Sequence, residues 1–153
     1  MKSNIPFEEL SVDFTHTTVF LDVDGTLAPD GSLEFSSEVL QKVRELSGKN
    51  QVLLCTNKRD PVRFAKLEAL FSLPVVTKRH KKPSRRVLDE AGAIAGERVV
   101  IGDKFLTDEL FAKRIKARFI RTRRKLSGNE VFSVKVANVV DDITWTLYQK
   151  LFS

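Results

Sequence analysis

The sequence predicts a three-layer α/β fold, a five-stranded parallel sheet with helices on both faces. Three observations carry that expectation. Short apolar runs rich in β-branched residues recur along the chain. They are apolar almost continuously, as in parallel strands buried on both faces, and segments of helical spacing separate most of them.

Residues 1–16 read as an irregular lead-in. Residues 17–23 are the first strand, followed by turn chemistry at Ala28-Pro29-Asp30-Gly31-Ser32. Ser36-Ser37-Glu38 opens a helix in which Val39, Leu40, Val43 and Leu46 recur until Gly48 stops it. Gln51–Cys55 is the second strand, and Asp60-Pro61 starts a helix with Val62, Ala65, Leu67, Ala69 and Leu70 as its apolar residues. Leu73–Thr77 is a shorter third strand, and Pro83-Ser84 opens a helix that runs to about Ala91. Glu97–Ile101 is the fourth strand, Thr107–Lys116 a helix and Ala117–Arg121 the fifth strand. Beyond the polar stretch Lys125–Glu130, residues 139–152 read as an amphipathic helix with the stripe Val140, Ile143, Leu147 and Leu151. We expect that stripe to pack on the core or on another subunit, with interfacial membrane binding as the second reading.

At 153 residues and 42% hydrophobic content, the chain fits a single domain spanning 1–153, with its core in 17–121. Cys55 is the lone cysteine, which excludes an intrachain disulfide framework and favours a reducing compartment. No apolar run approaches the roughly 20 residues that span a bilayer. The start of the chain lacks the apolar segment of a secretory signal, and Glu8 and Glu9 argue against a transit peptide unless a mature form has lost one. Cytoplasm or an organelle matrix, free or peripheral to a membrane, is therefore the expected location. The net charge of +6 points to anionic partners. Eleven phenylalanines against one tyrosine and one tryptophan suit core filling better than a base-stacking platform.

In such sheets the ligand sits beyond the carboxyl ends of the strands, and the unusual polar residues fall there. Asp22 and Asp24 close the first strand, Thr56 the second and Asp103 the fourth, while Lys78 to Lys82 come after the third. Desolvated carboxylates cost several kcal/mol each unless a cation or hydrogen bonds compensate. A metal site explains them economically, with one acid free to attack a substrate. Asp22, Asp24 and Asp103 make a hard, oxygen-rich set suited to Mg²⁺, whereas two histidines and one cysteine make zinc a poor fit. A carboxylate beside Mg²⁺ can attack phosphorus and form an aspartyl-phosphate. The Thr56 hydroxyl and a lysine amine can hold the phosphoryl oxygens; Lys82 is the first candidate, with Lys81 and Lys78 competing.

Asp22-Val23-Asp24-Gly25-Thr26, Thr56, Lys82-Pro83 and Gly102-Asp103 with Asp108 resemble, in order, the four motifs of the haloacid dehalogenase-like (HAD) phosphohydrolases. The resemblance implies a HAD-like Rossmannoid fold, with Asp22 as nucleophile and Asp24 as general acid/base and as a metal ligand through its carbonyl. It also implies Thr56 and Lys82 on the phosphoryl group and Asp103 on Mg²⁺, with Asp108 orienting Lys82 or a water. About 24 residues separate Leu27 from Val52, and a similar number separate Asn57 from Lys82, so neither gap holds a cap domain. Ile101 to Leu110 with Lys82-Pro83 is similar to the YqeG-type branch, which includes mitochondrial phosphatidylglycerophosphate phosphatases. The chain departs from that branch at Gly25, at Thr56-Asn57-Lys58 and at Phe111-Ala112-Lys113.

Asn57 either shapes its loop or touches substrate. Lys78 and Lys81 after the third strand, and Arg121, Arg123 and Arg124 after the fifth, are expected to rim an open mouth as a positive collar. The leading expectation is a Mg²⁺-dependent phosphomonoesterase acting on an anionic lipid phosphate at a membrane surface. Alternatives are a polynucleotide-end phosphatase, a sugar-phosphate phosphatase closed by an oligomer, and a binding module of the same fold without catalysis.

Overall fold

The computed structural model describes residues 5–94 and 96–152; the first four residues of the expected lead-in lie outside them. Its strands are β1 (Thr18–Asp22), β2 (Gln51–Cys55), β3 (Arg98–Gly102) and β4 (Arg118–Arg121), paired in parallel in the order β2-β1-β3-β4. The principal helices are α1 (Ser37–Lys49), α2 (Pro61–Phe71), α3 (Leu88–Ala91), α4 (Leu110–Arg114) and α5 (Phe132–Phe152).

Side-chain alternation along β1 assigns the two faces of the sheet. Val19, Leu21 and Val23 join Val39, Val43 and Leu46 of α1 and Phe64 and Leu67 of α2 in one core. Phe20 faces the other way, onto Val87, Ala91, Phe111 and Ile115, with the Phe111 ring edge-on at 5.4 Å. That division produces three layers. Cys55 belongs to the second core, and burial pushes its thiol up to about 12, so it serves as a small apolar residue.

The helix starts behave as their sequences dictate. Ser36 caps α1 by accepting from the Val39 N–H, and Asp60 caps α2 by accepting from Val62, with Pro61 in the first turn. Helix α1 runs through Gly48 to Lys49, where the Asn50 side chain donates to the Leu46 carbonyl. The lead-in is more ordered than expected: Phe7–Glu9 form a 3₁₀ turn that buries Phe7 in the first core.

Four features depart from the sequence-based expectation. The sheet has four strands, not five. Leu73–Thr77 runs beside β2 but makes a single bridge, with Leu54 donating to Pro74 and Val76 donating to Leu54, both at 2.9 Å. Pro74 has no N–H for the ladder. Further on, the Thr77 hydroxyl takes over from the backbone, accepting from the Thr56 N–H at 3.0 Å and donating to the Thr56 carbonyl at 2.5 Å. In α2 the buried side chains are Arg63, Phe64 and Leu67, while Val62 and Leu70 are exposed. The expected Thr107–Lys116 helix is a π-helical turn over Phe105–Glu109 followed by α4.

The fourth departure is the C-terminal helix. It begins well before the expected residue 139, at Phe132, and its apolar stripe is exposed rather than packed on the core. What it buries is Asp141, whose carboxylate accepts from the Phe105 and Leu106 N–H groups at 3.0 and 2.8 Å. No helix among the described residues is long and apolar enough to cross a membrane.

Candidate active site

Parallel register brings the carboxyl ends of β1, β2 and β3 level, so Asp22, Thr56 and Asp103 converge with the adjoining loops. Asp22, Asp24, Asn57 and Lys82 line a cavity of about 200 Å³ with Lys58 and Lys104. Asp22, Asp103 and Asp108 are buried, with carboxylate oxygens within 4.8 Å of one another. Two glycines make this crowding feasible. Gly25 has φ +83°, and a Cβ there would sit 2.6 Å from Asp103 Oδ2. A Cβ on Gly102 would collide with the Asp108 carboxylate.

Lys82 lies at the centre of the site. Its Nζ donates to Asp22 Oδ1 at 2.6 Å and to Asp108 Oδ1 at 2.5 Å. Burial disfavours the ammonium, but Asp108 and Asp22 overcome it and hold its pKa above the ordinary lysine value. Asn57 clamps the Lys82 backbone, donating to its carbonyl and accepting from its N–H, both at 3.0 Å. Asn57 thus holds the loop that presents the lysine while also lining the cavity.

The carboxylates divide by their partners. Burial drives the Asp22 carboxyl well above its ordinary range; Asp108 and Asp103 add to that, and Lys82 opposes it. Burial pushes Asp103 the same way, but Lys104, a hydrogen bond with Asp22 and Arg124 turn the balance and lower it. The Thr26 hydroxyl sits between the two, 2.7 Å from Asp22 Oδ2 and 3.3 Å from Asp103 Oδ1. Asp108 is committed to Lys82 and to the Lys104 N–H at 3.1 Å. Together the three clustered acids Asp22, Asp103 and Asp108 could hold a cation. Lys104 Nζ stands near the same place, 3.6 Å from Asp103 Oδ1 and 3.4 Å from the Asp24 carbonyl.

Asp24 turns away from that cluster. It accepts from Thr56 Oγ1 at 2.5 Å, Arg63 Nη2 at 2.8 Å and the Gly31 N–H at 2.9 Å. Arg63 belongs to none of the sequence motifs. Its one signal was a place on the helical face of Phe64 and Leu67, where a charge needs a partner. Breaking a buried ion pair leaves an uncompensated charge. Arg63→Met is expected to destabilise the protein by about 3 kcal/mol. The urea midpoint should fall with an unchanged slope, and Arg63→Lys should recover part of the loss.

Asp22, Asp24, Asp103 and Asp108 thus face Lys82, Arg63, Lys104 and Arg124. Four carboxyl groups meet four basic side chains, so a bound divalent cation would add positive charge to the site. The expected collar residues take different places. Lys78 pairs with Glu68, and Lys81 lines a neighbouring cavity with Lys58, Arg59 and Lys66. Arg123 is exposed. Arg121 is buried, its guanidinium stacked 4.8 Å from the Trp145 ring and within 3.9 Å of Asp141 and Asp142. Arg124 bridges Asp103 Oδ2 at 2.7 Å and Asp141 Oδ2 at 3.3 Å. The acids of α5 draw both arginines inward.

No curated protein and no solved structure matches the chain. The model of one family, described as mitochondrial PGP phosphatase, matches residues 3–126 and so covers every strand end that supplies the cavity. On that match, the chain belongs to the mitochondrial phosphatidylglycerophosphate (PGP) phosphatase family.

Proposed function

We propose that the protein hydrolyses the terminal phosphomonoester of phosphatidylglycerophosphate by the HAD mechanism, with Asp22 as nucleophile and Mg²⁺ as cofactor. The observation that carries this reading is the setting of Asp22. It is a buried carboxylate at the end of β1, hydrogen-bonded to Lys82 and Thr26, and within 4.8 Å of Asp103 and Asp108. Mg²⁺ fits the oxygen donors of Asp22, Asp103 and the Asp24 carbonyl, and bound there it would neutralise phosphoryl charge.

The residues then divide the work. An Asp22 oxygen attacks phosphorus, and the bond to the leaving glycerol oxygen breaks. Asp24 gives that oxygen its proton; it then takes a proton from the water that cleaves the Asp22–phosphorus bond, releasing phosphate. To do so, Asp24 must swing off Arg63 and Thr56. The same motion frees the Thr56 hydroxyl to donate to a phosphoryl oxygen beside Lys82. Asp108 acts through Lys82, holding its ammonium between the two acids.

The test is a phosphate-release panel with Mg²⁺: phosphatidylglycerophosphate in vesicles, a 3′-phosphorylated oligonucleotide and sugar phosphates. The lipid is expected to give the highest kcat/KM, and a preference for either of the others overturns the substrate assignment. Metal dependence has its own readout. Mg²⁺ should raise the melting temperature of the wild type by several degrees at saturating concentration, and Asp103→Asn should remove most of that shift.

A further inference from the structure

We propose that α5 is an in-plane membrane anchor, laying its exposed apolar face on an anionic bilayer. The proposal rests on the reading of the substrate as a membrane lipid. Val136, Val139, Val140, Ile143, Leu147 and Leu151 are 44–74% exposed. At 3.6 residues per turn they fall within an arc of roughly 120° along the helix. Exposed apolar area of that continuity marks an interaction surface, and the helix cannot cross a bilayer. At 1.5 Å per residue it would lie about 30 Å along the surface instead.

Charge selects the occupant. The two acids of α5, Asp141 and Asp142, face Arg121 and Arg124, so its free charges are the exposed Lys135 and Lys150. Lys113 lies beside the same helix, over the Tyr148 ring at 4.0 Å, and the whole chain carries +6. A second copy docked on this face would bring like charges together, whereas an anionic bilayer complements them. Lys135 beside the apolar arc and Lys150 within it also suit a bilayer, since their stems can lie along apolar surface while the ammonium stays in water.

The buried face of α5 is tied to the site. One arginine side chain, Arg124, separates the Asp103 carboxylate from Asp141 in the middle of α5. Asp141 also fixes the helix to the backbone of Phe105 and Leu106. The apolar arc lies on the opposite side of α5 from Asp141 and Trp145, so a bilayer meeting it would have the helix between membrane and sheet. Helix α5 also starts beyond residue 126, outside the segment matched by the family.

Flotation of the full chain with vesicles tests the assignment, because it reads binding without turnover. Wild type is expected to float with phosphatidylcholine vesicles containing phosphatidylglycerol, and less so at high salt. Ile143→Gln/Leu147→Gln should weaken flotation at least tenfold, with an unchanged far-ultraviolet dichroism spectrum. It should also lower the ratio of vesicle to water-soluble ester rates by a similar factor. Equal flotation of variant and wild type, or none by either, overturns the anchor. A concentration-dependent dimer that the variant abolishes, with no vesicle binding by either protein, assigns the face to a second copy instead. Vesicle binding with no turnover of phosphatidylglycerophosphate keeps the anchor and overturns the substrate reading alone.

Discussion

Asp22→Asn is expected to abolish phosphate release and, in the same protein, to raise stability without metal. The amide keeps an oxygen for Lys82 but cannot form an acyl-phosphate, so kcat should fall about 10⁴-fold or more. The stability effect is one of linkage. Burial, then Asp108, then Asp103 raise the Asp22 pKa above the ordinary value of 3.8. The folded state therefore holds that proton more tightly than the unfolded chain. An acid raised in this way weakens the fold as pH climbs from its ordinary value through its raised one. Above that window the amide should be more stable by about 1 kcal/mol, some 2–4 °C in melting temperature. Calorimetry with chelator at pH 5 and pH 8 reads it, with the larger gap at pH 8. Retained turnover would remove Asp22 from the nucleophile role, and a variant less stable at both pH values would contradict the electrostatic account.

Lys82→Met has the opposite stability sign. Its ammonium holds two buried carboxylates, Asp22 and Asp108, and the methionine leaves both without that charge. Removing one partner of such a cluster costs about 3–5 kcal/mol, or on the order of 10 °C for a chain of this size. Asp108→Asn in the Lys82→Met background should recover part of the loss, because one of the two orphaned charges is gone. The pair forms a double-mutant cycle in which the two changes are far from additive. Activity should stay lost in the double variant, since the donor to the phosphoryl group is still missing. The deficit of Lys82→Met should also shrink at acidic pH, where Asp22 carries its own proton. A variant as stable as wild type would show that the cluster is neutralised by other means.

The strand ends were legible because buried acids have few reasons to exist. A run such as Val19-Phe20-Leu21 can be buried on both faces, and the acids at its carboxyl end then require a chemical explanation. Caps were legible for a similar reason: Ser36 and Asp60 carry acceptors where a helix start has free N–H groups. Three features were not legible. The stripe of α5 has the same spacing whether it faces a core or water, so periodicity could not say which. Arg121 and Arg124 read as part of an open positive collar because Asp141 and Asp142, which turn them inward, lie well along the chain. Leu73–Thr77 has strand composition, and only the structure reveals that a hydroxyl takes over where the ladder would continue.

That hydroxyl has a bearing on solubility. An open sheet edge is a template on which a foreign strand can grow, and the end of β2 beside the catalytic mouth would otherwise be one. Thr77 Oγ1 saturates both the N–H and the carbonyl of Thr56, and the Pro74–Val76 backbone saturates those of Leu54. The margin nearest the substrate thus has no backbone donor or acceptor at Leu54 or Thr56 left to nucleate aggregation.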